Sequence, residues 1–472
     1  MAALSLSANF EAACRRFDAA LAFCDAGGAP ASFRNFFFTV IAFAEELRDR
    51  GVRPGAMASV HVEDGIAGTA LRLALLRLGA TLALAPQSLG KEGAWHIHAK
   101  GTEPPAATGA IAFDAGWIRS PRQPVPIAGG ARILRVTSGT TGLPKLRLME
   151  EESALARILR GLRERGAPQG PTFIGYSPFS APFFNHALRA LLTGVPQLHT
   201  QATPEASLAA MDRFGATDAY VSPYNFARLL DAAEATAVRP RALARVTVGG
   251  GEVSPTQAIR GETLLGCEVR NSYGSNETGS IASHRPALTP DMRGIVGKIY
   301  SDLEFRFSDD TGRTCDPETG GEISIKVPAE CRARDFPSSA FLGDAEGWVA
   351  TGDIGRLLPG GELQLLGRKS EFLNVGGTKC APAVFEAALG GFPGVSELVA
   401  FRAPALSGID HVGLAVVAGE GFSLGRFRAF VQEKLGRLYP AEISVLARIP
   451  TNAAGKIDRG RLTSDYLALQ SA

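Results

Sequence analysis

Residues 137–142 read Thr-Ser-Gly-Thr-Thr-Gly: four hydroxyls and two glycines in six consecutive positions. An apolar run, 133–136, leads in, and a second, 146–149, leads out. The pattern predicts a strand, a tight loop and a second strand. Glycine lets successive backbone N–H groups turn to one side, and hydroxyls add donors. With Lys145 at the edge, the result is a concave seat for an anion. It is not a Walker A loop, which needs Gly-x-x-x-x-Gly-Lys-Ser/Thr; the fifth residue after Gly139 is Pro144. Taken alone, the stretch reads equally as a Thr/Gly-rich surface loop.

The flanking chain narrows the fold. Residues 33–50 are apolar at helical spacing and stop at Gly51; 57–62 read as a strand, 67–78 as a helix closed by Gly79, and 80–85 as a strand ended by Pro86. Such alternation predicts a parallel α/β layer with right-handed crossovers. Residues 87–130 predict no clear element. Beyond the loop, 150–165 are helical, 173–176 and 219–222 are strands, and Pro223 opens a helix over 224–233. Residues 177–186, Ser-Pro-Phe-Ser-Ala-Pro-Phe-Phe-Asn-His, mix aromatic and polar groups as a pocket wall does, or as a turn over a packed aromatic cluster.

Two strand ends carry further candidates. Residues 245–252 run a strand into Gly249, Gly250, Gly251 and Glu252, either room for a flat ring near the backbone or a plain turn. Residues 269–277 end in Asn271-Ser-Tyr-Gly-Ser-Asn-Glu277. In open α/β sheets ligands bind at this end of the strands. Tyr273 can stack on a base and Glu277 can hold a hard cation such as Mg²⁺; equally, they suit a buried ring beside a solvated carboxylate. From Gly294 the texture changes to short strands, 303–307, 322–327 and 363–366, which predict a smaller antiparallel sheet or barrel. Within it, Asp353 is either an acceptor for ribose hydroxyls or a turn residue. Residues 367–382 pass from charged to glycine-rich and then open a helix. That sets a boundary between a region 1–369 and a small α+β unit, 370–472.

A chain of 472 residues exceeds one ordinary core, so more than one domain is expected. Basic and acidic side chains nearly balance, 49 against 47, which offers nothing to nucleic acid or an anionic membrane. The longest largely apolar run, 36–44, is too short to span a bilayer. No basic-then-apolar signal opens the chain. The six cysteines lack metal-site spacing, and a reducing cytoplasm is the expected setting.

Taken in order, these stretches resemble the adenylate-forming superfamily: acyl- and aryl-CoA synthetases, the adenylation domains of peptide synthetases, and luciferases. The likeness runs over about residues 30–462 and is carried by 137–145, Gly249–Glu252, Asn271–Glu277, Thr351–Asp353, Gly367-Arg368, Gly376-Gly377 and Gly455-Lys456. It implies a large N-terminal region of layered α/β sheets with a small β-barrel-like subdomain, and a mobile C-terminal α+β lid. It also implies two half-reactions. A carboxylate attacks Mg·ATP to give an acyl-adenylate and pyrophosphate; the thiol of coenzyme A, or of a carrier-protein pantetheine, then displaces AMP. By resemblance, Thr137, Ser138, Gly139, Thr140, Thr141, Gly142 and Lys145 hold the departing phosphates, and Glu277 binds Mg²⁺. Tyr273 stacks on adenine beside Asn271, Gly250 and Gly251, with Glu252, Ser272, Gly274, Ser275 and Asn276 completing the nucleotide site. Asp353 takes the ribose hydroxyls, Arg368 ribose and phosphate, and Lys456 bridges carboxylate and α-phosphate. Ser370 is the lid pivot, and Gly376 and Gly377 line the pantetheine tunnel.

Asn276 replaces the family's Thr or Ser, Ser370 and Glu371 each replace a frequent Asp, and 146–151 depart from the usual continuation. No acidic residue lies between Pro178 and Leu188, which argues against an α-amino acid. Phe183, Phe184, Asn185, His186 and Tyr224 are the expected pocket residues, for an aryl or short apolar acid. A carboxylate–CoA ligase is thus expected, with a carrier-loading AMP ligase as the alternative and a degenerate nucleotide-binding protein as the remote one.

Overall fold

The computed structural model describes residues 5–24, 31–84, 94–102, 109–137, 145–289, 292, 294–309, 311–375, 378–404, 410–435, 441–451 and 457–470. They form two compact units. The first comprises 1–288, 300–303 and 326–349; the second comprises 289–299, 304–325 and 350–472.

The first unit holds two mixed sheets. In the eight-stranded sheet the strand order is Gly279–His284, Glu268–Ser275, Arg245–Gly249, Asp218–Val221, Thr172–Gly175, Gln197–His199, Leu21–Phe23 and Ala31–Ser32. Its six inner strands pair in parallel, and an antiparallel strand closes each edge. The chain builds the sheet by alternating strands with the helices Ala181–Thr193, Pro204–Arg213, Pro223–Thr236 and Pro255–Leu265. The sequence marks each helix start. Ser180, Thr203, Ser222 and Ser254 are N-caps whose hydroxyls accept the N3 backbone N–H at 3.2 Å, and each is followed by Pro in the first turn. Such a cap stabilises its helix by about 1 kcal/mol. The seven-stranded sheet orders Arg334–Asp335, Lys145–Glu150, Arg132–Thr137, Thr81–Ala83, Met57–His61, Ala94–Ala99 and Gly109–Phe113.

The helix Phe33–Asp49 and the helix Gly65–Arg77 supply much of a core with Phe33, Phe36, Phe43, Leu71 and Leu75 fully buried. A second core lies under the parallel strands, around Val246, Val248, Val269, Phe226 and Leu230. It lies on one face of these strands. Period-2 alternation turns Arg245, Thr247, Arg270 and Ser272 to the other face.

In the second unit a six-stranded sheet orders Ile295–Gly297, Leu363–Arg368, Trp348–Leu357, Gly321–Lys326, Glu304–Ser308 and Thr314–Cys315. A three-stranded sheet of Val395–Pro404, Asp410–Ala418 and Ala441–Leu446 packs with the helices Pro382–Leu389 and Leu424–Leu435 around Leu414, Val416 and Phe427, and with the helix Arg459–Gln470 around Phe401 and Ala415.

Three elements differ from the sequence reading. The helix Leu6–Phe17 was not expected, and Ala94–Ala99 and Gly109–Phe113 are strands within the stretch that predicted none. Their Ala, His and Gly content has weak β preference; parallel pairing with neighbours decides the outcome. Residues 177–186 read as a wall or turn, but from Ala181 they are helix. No helix among the described residues is long and apolar enough to cross a membrane.

Candidate active site

The loop 138–144 lies outside the described residues, and so do Gly376, Gly377 and Lys456. The strands flanking the loop are placed. Arg132–Thr137 pairs antiparallel with Lys145–Glu150, Thr137 opposite Lys145, so the strand–loop–strand expectation holds for its flanks.

The turn after Glu268–Ser275 is specified closely. The register with Gly279–His284 shifts between Tyr273 and Gly274. A Cβ at Gly274 would lie 2.3 Å from the Gly279 carbonyl oxygen, so only glycine fits. Ser275 Oγ accepts the N–H groups of Glu277 (3.2 Å) and Thr278 (3.1 Å) and meets Thr278 Oγ1 at 3.0 Å. From the helix Glu151–Arg165, Arg157 clamps the same turn. Its Nη1 donates to the Asn276 carbonyl (2.7 Å), Nη2 to that of Glu277 (2.6 Å) and Nε to that of Cys331 (2.7 Å). Burial lowers the Arg157 pKa to about 10; it stays charged at neutral pH.

The Glu277 side chain is 23% exposed and lies 3.4 Å from Arg147 Nε, and Arg147 also pairs with Asp335. Among the described residues no group of three or more His, Cys, Asp or Glu gathers, so an all-protein cage is not formed there. One accessible carboxylate completed by phosphate oxygens is how Mg²⁺ is ordinarily held, and Glu277 fits that role.

The glycine end of Arg245–Gly249 opens on an aromatic stack. Tyr176 Oη donates to the Gly249 carbonyl (3.3 Å). His186 lies between Tyr176 (5.7 Å, 3° between planes) and Tyr220 (4.0 Å, 21°). The His186 Nδ1 is buried without a partner, and burial with Arg165 and Arg189 nearby holds its pKa well below the usual value. Phe183 packs with this group beside His199. Phe184 belongs to the large core instead. Asn185 Oδ1 accepts from Arg135 Nη2 at 2.9 Å. Tyr224 is 54% exposed, with Arg228 5.7 Å over its ring; its surroundings are solvent and guanidinium rather than an apolar wall. Gly250 takes φ +91°, and Glu252 is exposed. Asn271 is buried with its Oδ1 unpartnered.

In the second unit Asp353 stands opposite Arg368 across an antiparallel pair, Arg368 Nε to Asp353 Oδ1 at 2.8 Å. Asp353 is 6% exposed. Ser370 is exposed in the short turn Lys369–Glu371. Arg459, at the start of the last helix, binds Glu371 (3.0 Å), Glu386 (2.8 Å) and the Ala400 carbonyl (3.0 Å).

Arg157, Arg147 and Asp335 were not singled out in the sequence. The available signal was Arg157, Arg160 and Arg165 at helical spacing, on a stripe of a helix whose neighbours are apolar.

Residues 105–332 match the family of AMP-binding enzymes. An oxalate–CoA ligase of Arabidopsis thaliana is 29% identical over 221 residues, 46% of this chain and 43% of that protein. A Streptomyces salicylyl-CoA synthase/salicylate adenylyltransferase is 26% identical over 490 residues, 91% of this chain and 88% of that one. The structure of o-succinylbenzoate coenzyme A synthetase from Bacillus subtilis with AMP superposes with a TM-score of 0.83 at 22% identity, covering 96% of this chain and 97% of that one; the fold is shared. What this chain shares with these proteins is a region, residues 105–332, similar to AMP-binding enzymes, and the fold of the solved structure.

Proposed function

We propose that the protein activates a carboxylic acid with Mg·ATP, releasing pyrophosphate, and passes the acyl group from the acyl-adenylate to the thiol of coenzyme A. The observation that carries this is the clamped 274–278 turn, which presents Glu277 at the ligand-binding end of a parallel sheet. The chemistry explains the need for such a site. A carboxylate is a poor acylating agent because its leaving group is oxide-like, whereas AMP departs readily. Two anions must approach, so cations and N–H donors are required where charge develops.

In this reading Lys145 and the hydroxyl-rich loop hold the β- and γ-phosphates, Glu277 holds the metal, and Tyr273 and Asn271 take the adenine. Asp353 takes the ribose, with Arg368 orienting its carboxylate. Lys456 neutralises the attacking carboxylate and the α-phosphate. Residues 370–472 act as the lid, turning at Ser370, and Gly376 and Gly377 give the pantetheine a passage free of side chains. The acid has an aryl or short apolar body; the named relatives act on oxalate and on salicylate. The five described cysteines are unpaired, which supports a cytoplasmic setting.

Lys456→Ala is expected to lower ATP–pyrophosphate exchange by ~10²–10³-fold while sparing thioester formation from supplied acyl-adenylate. Exchange near the wild-type rate would reject the mechanism. A panel of acids, assayed for pyrophosphate with and without coenzyme A, tests the acceptor: AMP produced without a CoA thioester would instead support transfer to a carrier-protein thiol.

A further inference from the structure

Beside the aromatic stack the first unit holds a partly open cavity of 240 Å³ on the polar face of the eight-stranded sheet. Arg165, Arg245, Arg270, Thr247, Ser283 and Tyr300 line it, and Glu164 is the one carboxylate in its wall. At ~30 Å³ per water, the space equals about eight waters, enough for a substituted ring. It lies close to the proposed site. Tyr220, also in the wall, stacks on His186. Thr247 and Arg270 are a registered pair two residues before Gly249 and Ser272, also a registered pair. That is about 7 Å at a strand's rise per residue.

The three guanidinium groups are not equivalent. Arg245 is matched by Asp218 at 3.0 Å, and Arg270 by Glu268. Arg165 meets only hydroxyls, Ser280 Oγ at 3.0 Å and Ser272 Oγ at 3.4 Å, and its Nε is sealed from solvent with no acceptor. The Tyr300 hydroxyl, beside the Arg165 guanidinium, is likewise sealed with no well-formed hydrogen bond. Leaving a buried donor unmet costs about 1–3 kcal/mol, and more for a charged group. Folded chains rarely keep such groups unless something completes them. Here the unmet donors, one of them charged, gather at one cavity.

We propose that this cavity receives the far end of the acid, and that the acid carries a second anionic group there, in the simplest case a second carboxylate, held by Arg165 and Tyr300. The inference rests on the reading of the protein as an acid-activating ligase and narrows its substrate to acids with an anion at each end. Nothing covalent occurs at the second group; it is bound, and the first carboxylate reacts.

The test compares acids sharing one skeleton: benzoate with benzene-1,3- and 1,4-dicarboxylate, and butyrate with glutarate. Pyrophosphate release gives kcat and KM for each. The wild-type protein should prefer diacids by tenfold or more in kcat/KM. Arg165→Met and Tyr300→Phe should each lower the diacid-to-monoacid ratio about tenfold, the loss appearing in KM, in keeping with one charge-assisted hydrogen bond. Tyr300→Phe removes a single oxygen and guards against misfolding of the arginine variant. Preference for monoacids, or equal effects on both classes, would mark a water-filled space and overturn the proposal alone. Pyrophosphate release with no acid of either class would overturn the ligase reading itself.

Discussion

Arg157 directs its Nε and both terminal nitrogens to backbone carbonyls, two of them in the turn that carries Glu277. A planar guanidinium can hold three carbonyls in a fixed fork, and an ammonium cannot. Arg157→Lys should therefore leave Glu277 in place chemically but not geometrically. A displacement of about 1 Å at such a site costs ~10²-fold in rate, so kcat/KM for Mg·ATP should fall by about that factor with a smaller change for the acid. Steady-state exchange rates with each substrate varied in turn decide it; equal losses for both substrates would speak against a positioning role. Arg147 acts on the carboxylate itself. It places a cation 3.4 Å from Glu277 and shares it with Asp335, where it would compete with a metal ion held by that carboxylate. Arg147→Leu should lower the Mg²⁺ concentration for half-maximal exchange several-fold. Paramagnetic titration with Mn²⁺ in the absence of turnover should show the same shift, and an unchanged titration would refute it.

At the scale of elements, Arg459 fastens the last helix to three other parts of its unit through Glu371, Glu386 and the Ala400 carbonyl. The group is only partly shielded, so Arg459→Ala should destabilise the unit by roughly 1–3 kcal/mol, seen as a lower urea midpoint for that transition; an unchanged midpoint would show the ties to be incidental. Elements of this kind were legible where local chemistry decides. The flanks of the hydroxyl loop, the helix behind Ser222, and the strand ends at Gly249 and Ser275 follow from caps, glycines and periodicity. What was not legible depends on partners far along the chain. The strands Ala94–Ala99 and Gly109–Phe113 exist because neighbours pair with them. Arg157 and Arg147 reach residues 119, 120 and 130 positions away. Phe184 and Tyr224 share their residue types with pocket walls, but helix phase sends one ring into the core and leaves the other in solvent. A one-dimensional pattern names the residue types a site needs and leaves open which of them face it.

At the scale of the whole molecule, the two units differ in how they bury histidine. Six of the seven histidines lie in the first unit; the second has His411, near Glu442. Burial, together with His96, His98 and Arg72, pulls His61 down to about 4, and burial lowers His96 as well; His186 is held well below its usual value by burial and by Arg165 and Arg189. An ordinary histidine titrates near 6.5 in the unfolded chain. Between that value and about 4, the unfolded first unit therefore binds protons that its folded form does not. Where the unfolded state binds more protons, stability falls as pH is lowered, so the first unit should hold its full stability above about pH 6.5 and lose it progressively as pH drops toward 4. Each unit has a core of its own, so separate unfolding transitions are expected. Calorimetry between pH 7.5 and 5 should show one transition moving down with acid and the other nearly fixed, and Arg459→Ala should mark the fixed one as the second unit's. His186→Phe keeps an aromatic ring between Tyr176 and Tyr220 and removes one titrating group, so it should flatten the slope of the moving transition. Two transitions falling in parallel, or a slope untouched by that substitution, would refute the assignment of the acid sensitivity to the buried histidines.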